Sequence, residues 1–303
     1  MFRHFSKQET RNLVLLAVPV FLGQIAQIAM SFVDTVVAGR ASAVDMAAVA
    51  VATSFWIPGT MFGQGLIMAI TPLVAQALGA GNVIKSRHFL RQGLWLAACI
   101  SVLLMAVFLT ISATITSWGK MDPLLARKTS EYLFAVLWGV PALMLFVLQR
   151  CFLEGHGRTR PAMVAGFVGL ALNVPLNIIF VFGKFGLPAM GAAGCGLATA
   201  MLFWVMAASM LFFVRRIDSA APALEKPSGA ILKRVFRIGL PGAFAMLNET
   251  AAFSLIALIV SPLGVTTVSG HQIAINVSAF VWICHFSIGA ASTIRVGTLL
   301  GAG

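Results

Sequence analysis

Acids are scarce in this sequence. It holds nine Asp and Glu in 303 residues against 21 Lys and Arg, and charged residues of both signs make up only 10% of it. With 59% apolar residues and a mean hydropathy of +0.96, so little charge excludes a water-soluble domain, about a quarter of which would be charged. Paired cysteines are missing too: Cys99, Cys151, Cys195 and Cys284 are scattered through apolar segments, so they read as small buried hydrophobes and neither as a disulfide framework nor as a metal site. The short alternating runs of an outer-membrane barrel are absent. So is catalytic machinery. GQGLI and LGAGN lack the strand context of a dinucleotide fingerprint, there is no Walker lysine, and Ser, His and acid never converge in a motif. Neither an enzyme nor an ATP-driven pump is expected, and no cofactor.

What is present is apolar length. Runs of about 20 residues or more can cross a bilayer core as helices. Eight such spans are predicted, near residues 12–37, 46–79, 92–118, 130–153, 160–183, 190–214, 236–262 and 268–302. The fold class is therefore an all-α integral membrane protein with eight transmembrane helices, whose surroundings are the lipid bilayer. The first span follows a basic start as a signal peptide would, but its apolar stretch is too long and no small-residue cleavage site follows, so it is read as retained.

The formal charge of +12 does not point to nucleic acid, because the bases are sorted by side. With the N-terminus inside, fifteen of the 21 Lys and Arg fall on the cytoplasmic side, among them Arg3, Lys85, Arg150, Arg158, Arg215 and Lys233. The positive-inside rule then predicts a multi-pass protein of the cytoplasmic membrane with a cytoplasmic N-terminus.

The chain also repeats itself. TIRVGTLLGAG (Thr293 to Gly303) matches TPLVAQALGAG (Thr71 to Gly81) at six positions with an offset of 222, and the same offset sets Pro19 on Pro241 and Gln27 on Glu249. Both copies close the second apolar segment of a unit. A linker-like stretch, RRIDSAAPALEKPSGAILK from Arg215 to Lys233, divides six spans from two. The predicted organisation is a six-helix N-terminal lobe over 1–214, a cytoplasmic connector over 215–235, and over 236–303 the first two helices of a second lobe, in the manner of transporters built from parallel repeats. Small residues at four-residue spacing (Gly59 and Gly63, Gly297 and Gly301) mark close helix crossings. Pro19, Pro58, Pro72, Pro141, Pro175 and Pro241 each remove a backbone hydrogen bond within an apolar segment.

Seven of the nine acids lie in loops or at helix ends: Glu9, Asp45, Asp122, Glu131, Glu154, Asp218 and Glu225. Asp34, near the outer end of the first span, and Glu249, mid-way along the seventh, do not. An acid at bilayer depth costs about 2.5 to 3.5 kcal/mol on insertion scales and normally serves a task such as proton or cation exchange. The plainer reading of Asp34 is that it reaches the outer interface or caps a neighbour; mid-span depth makes that harder for Glu249. Asn173 and Asn177 lie one turn apart on the fifth span, and Gln24, Gln27 and Asp34 lie near one stripe of the first. Together they would form a wet pocket, although interhelical hydrogen bonding alone would also account for the amides. His271 and His285 are about 21 Å apart along a helix and cannot share a metal. Phe244, Met246, Phe253, Phe280 and Trp282, with Asn276, would line a site for flat organic cations, or simply belong to the core.

Several of these segments, AVPVFLGQIAQIAMSFVDTVVAGR, ITPLVAQALGAGN, LEGHGRTRPAM, ALNVPLNIIFVFG and IGLPGAFAMLNETAAF, occur in the order seen in the multidrug and toxic compound extrusion family, which the whole chain resembles in its NorM-type branch. The resemblance implies twelve helices in two lobes around a central cavity, exchange of Na+ or H+ for organic cations and drugs, and a monomer. It makes Asp34 the acid of the first helix, faced by Asn173 and Asn177, and Glu249 the coupling acid of the seventh, where Na+ would bind. It also implies that the chain stops about four helices short and does not transport as it stands. Asn177 stands where archaeal relatives carry an acid, a departure from full proton coupling in the first lobe. Two other readings remain: a lipid-linked oligosaccharide flippase of the same superfamily, which needs more bases in the cavity than the first six spans offer, and a non-transporting membrane protein whose polar residues only hold helices together.

Overall fold

The computed structural model describes residues 7–117, 122–219, 225–260 and 265–303, without the side chains of 253–255, 257–260, 265–277, 279 and 280. Among the described residues ten α-helices follow one another: α1 (Lys7–Ala41), α2 (Ala43–Met68), α3 (Ile70–Gly79), α4 (Val83–Thr114), α5 (Pro123–Val136), α6 (Val140–Gly155), α7 (Arg160–Phe182), α8 (Ala192–Arg215), α9 (Gly229–Val260) and α10 (Val265–Ala302). They amount to eight crossings, because two pairs are single spans broken by proline. Pro72 cannot donate to the carbonyl of Met68, and the helix is interrupted at Ala69; Pro141 cannot donate to Leu137, and one 3-10 turn over Leu137–Gly139 separates α5 from α6. The second and fourth predicted spans are therefore jointed. Pro19, Pro58, Pro175 and Pro241 stay within continuous helices. Among the described residues seven spans are long and apolar enough to cross a membrane, and each coincides with a predicted one.

Side chains and glycines punctuate the ends. Ser42 accepts from the Asp45 N–H, Asn82 from Lys85 and Asp122 from Leu124 and Leu125, capping α2, α4 and α5. Gly183 takes φ +68 to close α7. Inside the bundle Trp56 stacks on Phe108 and Phe203 at centroid distances of 5.1 and 6.3 Å. On the outside Val102, Leu103, Trp204 and Phe212 are exposed, as suits a surface facing lipid.

α9 packs on α2, and α10 on α1 and α3, so the last two helices lie against the first three. The crossing of α3 with the end of α10 joins the two copies of the repeat. A Cβ on Gly79 would overlap the carbonyl oxygen of Thr298, and a Cβ on Gly301 would overlap that of Gln76. Under the offset of 222, Gly79 corresponds to Gly301 and Gln76 to Thr298, so the contact is reciprocal. Gly297 and Ala75, also equivalent, face each other on the local axis, where a Cβ on Gly297 would stand 2.9 Å from that of Ala75. The repeat thus pairs with itself about a pseudo-twofold.

The described part of the connector is not a loose linker but is strapped to α4. One stripe of that helix holds it: Arg87 donates to the Ile217 carbonyl (3.0 Å), Gln92 to that of Lys226 (2.9 Å) and Trp95 to that of Glu225 (2.7 Å), while the Ser228 N–H donates to Gln92 (2.7 Å). Arg91 pairs with both Glu225 and Asp218, and His88 with Glu225. The Arg91 hydrogen bond holds the Glu225 carboxyl below the ordinary 4.5, helped by His88, although partial burial pulls the other way.

Two outcomes are expected. Gly79→Ala and Gly301→Ala each lower stability by about 1–3 kcal/mol through overpacking, whereas Gly289→Ala, a helical site with open space around it, is neutral or mildly stabilising; thermal unfolding in detergent measures all three. Because the Glu225 pKa is depressed, its contribution to the strap is complete well above pH 4.5 and is lost as pH falls through and below that value. Proteolysis of the connector should accelerate there, and Arg91→Gln should produce the same acceleration at neutral pH.

Candidate cation-coupling site and cavity

Asp34 lies one turn from the buried Val37 and Ala38 of α1, which packs along α7. Small residues permit this approach: a Cβ on Gly166 would meet that of Ala26 at 3.4 Å. Asn173 and Asn177, both fully buried, lie one turn apart and aim their amides at the same atom. Asn173 Nδ2 donates to Asp34 Oδ1 at 2.8 Å and Asn177 Nδ2 at 2.7 Å; the second amide also donates to the Asn173 carbonyl at 3.0 Å. Oδ2 receives only a weak bond from Thr199 of α8, at 3.4 Å. The carboxylate is thus held mainly on one oxygen, and the other is open to a further partner. The Oδ1 atoms of Asn173 and Asn177 are buried with no hydrogen-bond partner, a condition costing about 1–3 kcal/mol each. A carboxylate held by neutral donors with one oxygen open can take a proton or a small hard cation.

Asp34 faces a cavity of about 330 Å³ lined by α1, α2, α5–α8, α9 and α10. It is the one acid among the described lining residues. Gln24, Gln27, Thr53, Thr60, Gln64 and Tyr132 give the wall polar points, while Trp56, Phe203, Met206, Met246, Trp282 and Phe286 supply apolar surface. Trp282 and Phe286 stack at 5.1 Å. A wall of flat rings with one carboxylate suits an amphiphilic cation.

Of the residues singled out from sequence, Gln24, Gln27, Asp34 and Asn173 line this cavity together. Asn177 stands behind Asp34 and acts through it. Trp282 and Met246 line the opposite wall; Phe244 instead packs edge-on against Phe62 at 5.7 Å. Phe253, Asn276, Phe280 and His271 lie outside the described side chains. Glu249 is exposed on α9 and is not among the residues lining the cavity. Thr199 and Tyr132 have no sequence signal; they reach the site because α8 and α5 pack together.

The acids at helix ends require a correction. Asp45, Glu154 and Asp218 occupy such ends but are buried, at 4%, 6% and 1% exposure. Asp45 accepts from Lys128 Nζ (2.6 Å), Ser42 Oγ (2.6 Å) and the Ala192 N–H (2.9 Å), tying α2, α5 and the start of α8. A second correction concerns Arg150, expected at the membrane surface: it is buried and lines the cavity, so the first six spans do place one base there.

Known proteins share this fold. The MatE family model matches residues 19–179 and 241–303. The multidrug resistance protein MdtK of Klebsiella pneumoniae strain 342 is 49% identical over 300 residues, covering 97% of this chain and 66% of that protein; the chain thus spans about two thirds of the length of the curated relatives it matches. Among solved structures, a MATE protein in complex with MaD5 superposes with a TM-score of 0.85 at 20% identity, over 97% of this chain and 67% of the other. The MATE transporter NorM-NG, solved in complex with a monobody, superposes at 0.80 with 31% identity, over 94% and 63%. With the family model matching on both sides of the connector and the helices superposing on MATE folds, the chain belongs to the MatE family.

Proposed function

We propose that the chain forms the exchange cavity of a secondary multidrug antiporter of the cytoplasmic membrane, a transporter and not an enzyme, which moves organic cations outward against Na+ or H+. The observation that carries this reading is Asp34: the one acid among the described residues facing an aromatic cavity, held by amides on one oxygen and open on the other. A lipophilic cation entering the cavity competes with the coupling ion for that oxygen. Loading one releases the other, which is the elementary step of antiport. Asn173 and Asn177 hold the carboxylate toward the cavity.

Glu249 is the second coupling position in this reading, on the strength of its depth in the apolar run of α9, with Na+ as a candidate ligand. The sorting of Lys and Arg supports a cytoplasmic N-terminus. MdtK is named for multidrug resistance, which supports drugs as the ligands here, and the carboxylate among rings favours cationic ones. A flippase for pyrophosphate-linked sugars calls for several bases; the described lining residues include one.

The test is uptake of ethidium into vesicles under an imposed proton or Na+ gradient by a version extended to the full length of its relatives, paired with dye binding to the chain itself. Asp34→Asn should abolish gradient-dependent uptake, and Asn177→Ala, which removes a bond to a charged acceptor worth about 1.5–3 kcal/mol, should reduce it about tenfold or more. Uptake and binding indifferent to Asp34→Asn would sink the assignment.

A further inference from the structure

Arg150 and Glu154 form a buried charged pair that the proposed exchange does not use. They lie one turn apart on α6 with side chains 9% and 8% exposed. Their closest approach, Nε to Oε1 at 3.7 Å, is too long for a hydrogen bond, and Nε is buried without a partner. The guanidinium stands 6.0 Å from the Phe146 ring centroid. Arg150 lines the main cavity and also a small cleft opening beside it, which Gln24, Gln27 and Glu154 share. A buried guanidinium held this loosely is expensive unless something else completes its bonding.

The position of the pair relative to Asp34 is informative. Gln27 and Gln24, which share the cleft with Arg150, precede Asp34 by seven and ten residues on α1, about 10 to 15 Å at 1.5 Å per residue. The cavity therefore has an acid toward one end, a base toward the other, and rings among its lining residues. A guanidinium recognises carboxylates through a planar fork of two parallel N–H bonds.

We propose that Arg150 is an anion-recognition subsite, so that the cavity accepts zwitterionic amphiphiles carrying a carboxylate about 10–15 Å from their cationic centre. This rests on the reading of the cavity as the substrate site. The cationic end meets Asp34 and the carboxylate meets the Arg150 fork. Glu154 holds the guanidinium loosely in the empty cavity and competes with the incoming carboxylate, which makes it a tuning residue of opposite sign.

The probe is an acridinium dye N-alkylated with a carboxynonyl chain, compared with its methyl ester, each titrated by fluorescence anisotropy against the chain in lipid nanodiscs. The readout is the acid-to-ester affinity ratio. Arg150→Gln should lower it about tenfold or more, the size of one charge-assisted bond, and so should the double variant Arg150→Gln with Glu154→Gln, which leaves no lone buried charge. Glu154→Gln alone should raise it. A ratio unmoved in all three variants overturns the subsite, as does an equal loss of both dyes in the double variant, which marks a structural role. If the ester still binds and Asp34→Asn abolishes it while Arg150 leaves the ratio alone, the exchange cavity stands and only the anion subsite falls. Failure of the unaltered chain to bind either dye overturns both.

Discussion

A carboxylate withdrawn from water into a helix bundle must be given donors, and that requirement organises this molecule. The chain has nine acids, and four of them, Asp34, Asp45, Asp218 and Glu225, act as fixed points on which helices or the connector converge. Asp45 draws together α2, the lysine of α5 and the first N–H of α8. Asp34 does the same for α1, α7 and α8. Asp218 and Glu225 bind the connector to α4 through Arg91. Each is a point where an error in helix register would leave a charge without a partner, at a penalty of several kcal/mol. Dispersion between apolar helices selects no register of this kind by itself, because lipid tails offer much the same surface. The acids supply specificity that the greasy contacts lack, and Asp34 differs from Asp45 in one respect: its second oxygen is left nearly free.

That difference separates structure from function within one residue type. Asp45 has Lys128, a hydroxyl and a backbone N–H shared over its two oxygens, and its charge is balanced on the spot. The donors of Asp34 are all neutral, and they concentrate on Oδ1. A carboxylate balanced by a lysine gains little from a visiting cation; one held only by amides and a hydroxyl has no local counter-charge, and a visiting cation can supply it.

Much of this was legible in the sequence, and the boundary of legibility has a physical cause. The eight crossings follow from apolar length, and the alignment of Gln24, Gln27 and Asp34 on α1, and of Asn173 and Asn177 on α7, follows from helical periodicity, since residues three, four and seven apart share a face whatever the tertiary fold; that the two faces meet is a matter of packing. Thr199 and Tyr132 have no such signature. Arg150 was visible but read as surface, because a base near the end of a span ordinarily reaches water along its flexible stem. Burial overrides that default here, as Phe146 and the packed core of α6 enclose it. The connector misled for the opposite reason. Its Ala, Pro, Ser and charges are the composition of a free linker, yet the partners that dock it, Arg87, Arg91, Gln92 and Trp95, lie more than 120 residues away in the chain.

The pseudo-twofold crossing of α3 and α10 bears on how the cavity is made. It shows that the repeat keeps backbone proximity at Gly79, Gly297 and Gly301, where a side chain would separate the helices. It keeps no chemistry: the same offset sets Asp34 opposite Ile256 and Glu249 opposite Gln27. A symmetric scaffold with unsymmetric side chains produces a cavity with two unlike walls. The wall from α1, α6, α7 and α8 carries the acid, the amides and the base, and the wall from α9 and α10 contributes Met246, Trp282, Ile283 and Phe286. A ligand in such a space is oriented without being tightly gripped, its charges drawn to one side and its rings to the other. In the exchange proposed above, parting the walls loosens the apolar contact, and the coupling ion then displaces the ligand from the carboxylate.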